Sequence, residues 1–216
     1  ELYQQAVDAG FPEGYCGLGG LYKSGKGVFQ DELVAMEYYK MALDGQDFMW
    51  RNFAKCQIAK MYQTGEPGIN QDESAAYSWF MDAANEGYGS GYLEIGNMYY
   101  YGNGVEKDHA EAFRWFEQAA LHGNVAGMFD IAFMYDTAKG VAQDDEKALF
   151  WYVQAAQLGD AAAMYQAGCM YGEGRGTQTD YDQARYWLEM AIEFAEGDAM
   201  LQESAGEELA WIASEQ

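Results

Sequence analysis

Residues 91–124 read GYLEIGNMYYYGNGVEKDHAEAFRWFEQAALHGN, residues 127–160 read GMFDIAFMYDTAKGVAQDDEKALFWYVQAAQLGD, and the second stretch lies on the first without a gap. Tyr99 falls on Tyr135, Gly104 on Gly140, Asp108 on Asp144 and Trp115 on Trp151. The same frame continues outward in both directions. A Tyr recurs at Tyr22, Tyr62, Tyr99, Tyr135 and Tyr171, at intervals of 40, 37, 36 and 36. Three residues on stands Gly25, Gly65, Gly102, Ala138 or Gly174, and a second Gly follows at Gly27, Gly68, Gly104, Gly140 or Gly176. Nine or ten residues past each Tyr comes Asp31, Asp72, Asp108, Asp144 or Asp180. Five copies at matched offsets identify an internal repeat, which sets the architecture before any single element is considered.

Four residues past each Asp is an Ala, at Ala35, Ala76, Ala112, Ala148 and Ala184. Seven past it is a large aromatic, Tyr38, Trp79, Trp115, Trp151 or Trp187, and eleven past it a second Ala, at Ala42, Ala83, Ala119, Ala155 and Ala191. Such offsets share one face of an α-helix, and the Asp stands where a carboxylate accepts from the free amides of the first turn. This spacing predicts a helix B in every repeat. A helix A precedes it and ends at the repeated Tyr, because the residues one, four and eight before that Tyr are apolar or small, as in Met98, Ile95 and Gly91 or Met134, Ile131 and Gly127. Three before the Tyr stands Gly19, Ala59, Gly96, Ala132 or Gly168, small enough for two helix backbones to approach while Tyr and Trp rings fill the space between repeats. Gly45, Gly87, Gly123 and Gly159 suit the left-handed residue that ends helix B. A single pair of helices cannot bury both faces, so the repeats must stack, each on its neighbours. Each aromatic so buried is worth roughly 1.5 to 3 kcal/mol.

The expected fold is therefore all-α, an α/α superhelix (solenoid) of five full helix-turn-helix repeats with partial helices at both ends. It reads as one repeat domain over 1–216: the end of a helix B at 1–10, repeats at 11–45, 46–87, 88–123, 124–159 and 160–197, and a capping helix at 198–216. In that last segment Leu201, Ala205, Leu209 and Ile212 make an apolar stripe beside Glu203, Glu207 and Glu208. Two prolines among 216 residues, Pro12 and Pro67, suit helices. No apolar stretch approaches the roughly 18 residues of a membrane span. Three cysteines, Cys16, Cys56 and Cys169, suggest neither a disulfide framework nor a zinc site. The chain opens on Glu1 within the end of a helix, as a trimmed or processed product would, and is expected to be soluble, in the cytoplasm or, after loss of a signal peptide, outside it. A formal charge of −23 repels nucleic acid and suits a protein partner with a basic surface or segment, though it would serve solubility equally.

The pattern resembles the Sel-one-like repeat (SLR) family, a relative of the tetratricopeptide repeats with a slightly longer and more variable unit. Ile95-Gly96, Met98-Tyr99, Gly102-Asn103-Gly104-Val105, Asp108, Ala112, Trp115-Phe116 and Ala119-Ala120 carry the resemblance, which extends over roughly residues 11–197. It implies an adaptor or scaffold for protein partners, of the kind found in signalling and in bacterial envelope, virulence and toxin-immunity systems. Some members carry a disulfide in every repeat. The cysteine pairs of that branch are missing from this chain.

Specificity is expected where exposed positions differ between copies. Twelve residues separate the turn Gly from the Tyr in the other repeats, but Gly45 and Tyr62 are seventeen apart, with five extra residues near Asp47-Phe48-Met49-Trp50-Arg51. Phe48 and Trp50 either meet a partner or pack over the junction of repeats one and two. On helix A, the positions five and two before the Tyr and one after it share a face that the packing stripe leaves unused. It carries Gln57, Lys60 and Gln63, then Glu94, Asn97 and Tyr100, then Asp130, Phe133 and Asp136, then Gln166, Cys169 and Gly172. If the repeats stack as in related proteins, this is the concave face, and Tyr101 adds a further ring. Acids beside aromatics suit a cationic segment through charge pairing and cation–π contact, although some of these rings would equally serve as filling.

Catalytic chemistry has almost no support. Gly172-Glu173-Gly174-Arg175-Gly176 lacks the strand and the Lys-Ser/Thr of a phosphate loop and is a fifth copy of the loop between helices. His109 follows a cap and His122 precedes a helix-ending Gly, and neither has a nucleophile at a defensible spacing. No cofactor or metal motif is present. A protein-binding adaptor is the favoured reading, with a bacterial immunity protein that neutralises a toxin enzyme as the narrower alternative and an enzyme or small-molecule binder as a distant third.

Overall fold

A computed structural model describes residues 2–215. Twelve helices run through them: α1 Leu2–Asp8, α2 Pro12–Ser24, α3 Glu32–Ala42, α4 Phe48–Thr64, α5 Glu73–Asn85, α6 Gly89–Tyr101, α7 His109–Leu121, α8 Val125–Asp136, α9 Asp145–Gln157, α10 Ala161–Glu173, α11 Tyr181–Phe194 and α12 Ala199–Ser214. Helices α2, α4, α6, α8 and α10 are the expected helix A and α3, α5, α7, α9 and α11 the expected helix B. The chain divides into two compact units, residues 1–107 with α1–α6 and residues 108–216 with α7–α12. Sequence reading treats 1–216 as one repeat domain, and the division falls between the two helices of the third repeat.

Each helix B begins because an Asp caps it. Asp31, Asp72, Asp108, Asp144 and Asp180 accept from the amides of Val34, Ala75, Glu111, Lys147 and Gln183 at 2.9–3.0 Å. Each such cap contributes about 0.5 to 2 kcal/mol. The alanines four and eleven residues past every Asp are all 0% exposed, so helix B turns a flat strip of methyl groups inward. Helix A meets that strip through its own small residues. A Cβ built on Gly91 of α6 would lie 2.6 Å from the backbone nitrogen of Ala84 in α5, and one on Gly168 of α10 would lie 2.7 Å from Leu188 Cγ in α11. Side chains at these positions would force the helices apart. The repeated Tyr then packs against rings of helix B: Tyr99 on Tyr77 at 6.5 Å and Tyr135 on Phe113 at 5.1 Å, both edge-on, and Tyr22 stacked on Tyr38 at 5.6 Å.

Two expectations need correction. In the first four repeats the aromatic seven residues past the Asp is not the deepest ring, although Trp187 of the fifth is buried. Tyr38, Trp79, Trp115 and Trp151 are half-buried, whereas the next residues, Tyr39, Phe80, Phe116, Tyr152 and Leu188, are at most 2% exposed. Adjacent helical residues point about 100° apart, and the rotation set by the neighbouring helices brings the eighth position to the centre. The second correction concerns Gly45, which does not adopt the left-handed conformation found at Gly87, Gly123 and Gly159. It is small because Pro12 packs against it: a Cβ there would sit 2.7 Å from the proline Cβ.

At the ends, α1 packs on α2 and α12 on α11 and α10. Ala205 and Ile212 of the expected apolar stripe on α12 are buried and Leu201 and Leu209 half-buried, while Glu203 and Glu207 face solvent. Among the described residues no helix is long and apolar enough to cross a membrane.

Candidate protein-binding face

Within residues 1–107, the five extra residues of repeat two add a turn to the start of helix A. Asp47 caps that turn by accepting from the Trp50 amide at 3.0 Å, and α4 reaches 17 residues against 13 in α6. The two candidate rings go to different neighbours. Phe48 meets Tyr88 edge-on at 6.3 Å, and Trp50 meets Phe53 edge-on at 5.8 Å while its carbonyl accepts from the Cys16 thiol. Trp50 thereby walls a cleft of about 560 Å³ with Tyr3, Cys16, Gly17, Gly20 and Phe53. Gly17 and Gly20 occupy the positions five and two before Tyr22, where every other repeat places a larger side chain; the Tyr3 ring takes that room at Gly17, while Gly20 leaves it open to the cleft.

The added turn is fastened by one carboxylate. Glu86, just past the end of α5, accepts from Arg51 at 2.6 Å, Lys55 at 2.7 Å and Asn52 at 2.9 Å. These donors, Lys55 first, then Arg51 and Asn52, pull the Glu86 carboxyl from its ordinary 4.5 down to about 2. A depressed carboxyl adds stability that is complete above its unfolded value and drains as pH falls through its folded one. Stability from this clamp is therefore expected to hold above about pH 4.5 and to be lost towards pH 2. Acid titration of helicity in a Glu86→Gln variant should lack that segment of the transition, and superimposable curves would contradict the assignment.

Next along the same face, Glu94 pairs with Lys60 of the preceding repeat at 2.7 Å and accepts from Asn97 at 3.4 Å. Tyr100 is half-buried with its ring 4.9 Å from Tyr101, which is 64% exposed. Glu94, Asn97 and Tyr100 share one side of α6, and Tyr101 stands beside Tyr100 at the end of the helix.

Within residues 108–216, Asp130, Phe133 and Asp136 follow one another along α8, all half-buried. Here too the acid already holds a cation. Arg175 Nη1 donates to Asp136 at 2.5 Å while its Nε donates to Glu173 at 2.7 Å, and Lys139 Nζ stands 4.6 Å from the centre of the Phe133 ring. Sequence reasoning missed this part of Arg175, which it assigned to a structural loop. The corresponding loop residue of repeat two, Glu66, likewise reaches Lys23, at 3.7 Å. Lys23 and Asp136 both stand one residue past the repeated Tyr.

This half of the chain carries twenty acidic and five basic residues, against fifteen and seven in residues 1–107. All five basic side chains are engaged internally: Arg114 with Glu111, Lys147 with Asp144, Arg185 with Asp182, Arg175 with Asp136 and Glu173, and Lys139 with Phe133. The acid excess thus has no cation of its own in reserve. Burial first, and nearby acids second, push the Cys16, Cys56 and Cys169 thiols up to about 12, so they stay protonated and poorly nucleophilic at neutral pH. Among the described residues no group of three His, Cys, Asp or Glu side chains is placed to hold a metal ion.

A model of the Sel1 repeat family matches residues 12–47, 53–88, 89–124, 125–160 and 161–193. The chain is a Sel1 repeat protein. Residues 48–52, which carry Phe48 and Trp50, fall between the first two matches. Among known proteins, this Sel1 repeat protein is 31% identical over 106 residues to the chitin synthase regulator SKT5 of Saccharomyces cerevisiae, covering 48% of the present chain and 15% of the yeast one. Its structure resembles a protective antigen of uropathogenic Escherichia coli with an SLR fold, at TM-score 0.76 and 31% identity over 95% of this chain and 42% of the other. An immunity protein of Pseudomonas aeruginosa shares the fold, at TM-score 0.64 and 19% identity over 89% of this chain and 72% of that one. The all-α solenoid expected from the repeat is thus the fold of the family. Sel1 repeat proteins commonly mediate protein–protein interaction, on a fold that is generally non-catalytic.

Proposed function

We propose that this Sel1 repeat protein is a non-catalytic adaptor that binds a protein partner through helix-A residues of each unit: Glu94, Asn97, Tyr100 and Tyr101 of α6 with Trp50 and Phe48 of the added turn of α4 in residues 1–107, and Asp130, Phe133 and Asp136 of α8 in residues 108–216. The observation that carries this reading is the charge state of residues 108–216, where twenty acids stand against five basic side chains that are all already engaged. An acid excess beside half-buried rings matches a partner segment rich in Lys and Arg, drawn in by long-range attraction and held by charge pairing and cation–π contact.

The test begins with the untagged protein purified from its source with whatever binds it. Once that partner is identified and purified, titration calorimetry with Tyr100→Ala combined with Phe133→Ala should show a loss of more than about 2 kcal/mol, as for interface hot spots, at unchanged helicity. Association should also slow as salt is added. Unchanged affinity sinks the assignment of the face, and a flat salt response removes the role given to the acid excess.

A narrower reading, neutralisation of a basic toxin enzyme, is supported by the same acidity and by the fold shared with the Pseudomonas aeruginosa immunity protein. It requires the purified partner to be an enzyme whose activity falls stoichiometrically as this protein is added.

A further inference from the structure

The loop inside a repeat delivers one side chain to the helix-A face of the repeat before it. Glu66 does so at Lys23 and Arg175 at Asp136, and both targets stand directly after the repeated Tyr. The position after that Tyr is therefore a recurrent seat for a charge supplied from elsewhere. In the 108–216 unit the supplied charge is positive. Lys139, in the same loop position one repeat earlier, covers Phe133 of its own repeat. The guanidinium on Asp136 and the ammonium over Phe133 are the two contacts that a basic segment would make with this face.

We propose that Arg175 and Lys139 are resident stand-ins for a partner's cations, so that the Asp130–Phe133–Asp136 face is masked in the free protein and is opened when an arginine-bearing segment displaces Arg175 from Asp136. This rests on the reading of the face given above. The occupant is an extended basic segment containing Arg, because a carboxylate already holding a guanidinium is suited to another and the unit has no unengaged cation to compete. Displacement is cheap for two reasons. The Arg175 side chain is one-third exposed while that of Asp136 is only 15% exposed, so an incoming guanidinium can reach the pair and replaces Arg175 at the carboxylate without leaving it bare. Its Nε is also held by Glu173, so Arg175 keeps a counter-charge after releasing Asp136. Masking of this kind disfavours weakly matched cations and leaves the face open to a segment that satisfies both seats.

The experiment uses the full chain and a fluorescein-labelled dodecapeptide of alternating arginine and alanine, with a citrulline-for-arginine twin as the neutral control, read by anisotropy. Arg175→Gln should bind the arginine peptide more tightly, by about fivefold, because the competing internal pair is gone. Lys139→Gln should add to the gain, and the citrulline twin should not bind. Arg185→Gln removes the same charge from α11, and its gain should be clearly smaller. Arg175→Lys, which keeps the charge and loses the fork, should fall between the wild type and Arg175→Gln. Equal gains from Arg185→Gln and Arg175→Gln, or no gain from Arg175→Gln, overturn the masking and leave the face itself standing if Asp130→Asn with Asp136→Asn still abolishes binding. Binding that ignores those two substitutions, or no binding by any of the proteins, overturns both the masking and the face.

Discussion

Phe80→Ala is expected to destabilise residues 1–107 by about 3 to 5 kcal/mol, the range for emptying a fully buried ring site that cannot collapse. Phe80 is 0% exposed in α5, and its carbonyl lies close to Gly91 of α6, so the two helices are already at their minimum separation and cannot close over the void. Trp79, one residue earlier, is larger but half-buried against the edge of the core. Trp79→Ala should therefore cost less than Phe80→Ala, although the tryptophan is the larger side chain. Urea denaturation followed by circular dichroism gives both values on the same chain. A larger loss for the tryptophan would mean that the seventh position, not the eighth, holds the repeat together.

The second large effect is expected at Gly140. Its φ is +73°, and a Cβ there would run into the carbonyl of His109, at the start of the preceding helix B. Gly140→Ala meets two penalties at once. The left-handed conformation costs a side chain about 1 to 2 kcal/mol, and the carbonyl cannot yield without shifting α7. A loss of about 2 kcal/mol or more is expected, with the melting temperature as the measurement. Two residues away the sign reverses. Ala138 holds φ +55° where other repeats have Gly and is the one non-glycine residue at positive φ among those described. Ala138→Gly should raise stability by up to about 1 kcal/mol by relieving that strain. If both substitutions proved neutral, the loop conformation assigned to this repeat would be wrong.

The same contrast separates what the repeat announces from what it leaves open in the candidate site. Glu94, Asn97 and Tyr100, like Asp130, Phe133 and Asp136, stand together because each set is spaced three apart on one helix, and the spacing alone places them. Their counter-charges are a different matter. Arg175 meets Asp136 across 39 residues and Arg51 meets Glu86 across 35. Contacts of that range leave no local trace in the chain. Neither did the cleft beside Trp50, because two glycines in repeat one become an opening only when Tyr3, Phe53 and Trp50 are arranged around them.

Sequence by itself determined the repeat and its length, the two helices of each unit, the aspartate caps and the small residues at which helices touch. All of these follow from offsets of a few residues, which local backbone geometry converts directly into faces and ends. Only the tertiary structure decided which of two adjacent aromatics fills the core, because packing against the neighbouring helices fixes how far a helix is rolled about its own axis. It also decided that acids of the proposed binding face already hold cations of the same chain, because that depends on which loop lies opposite which helix.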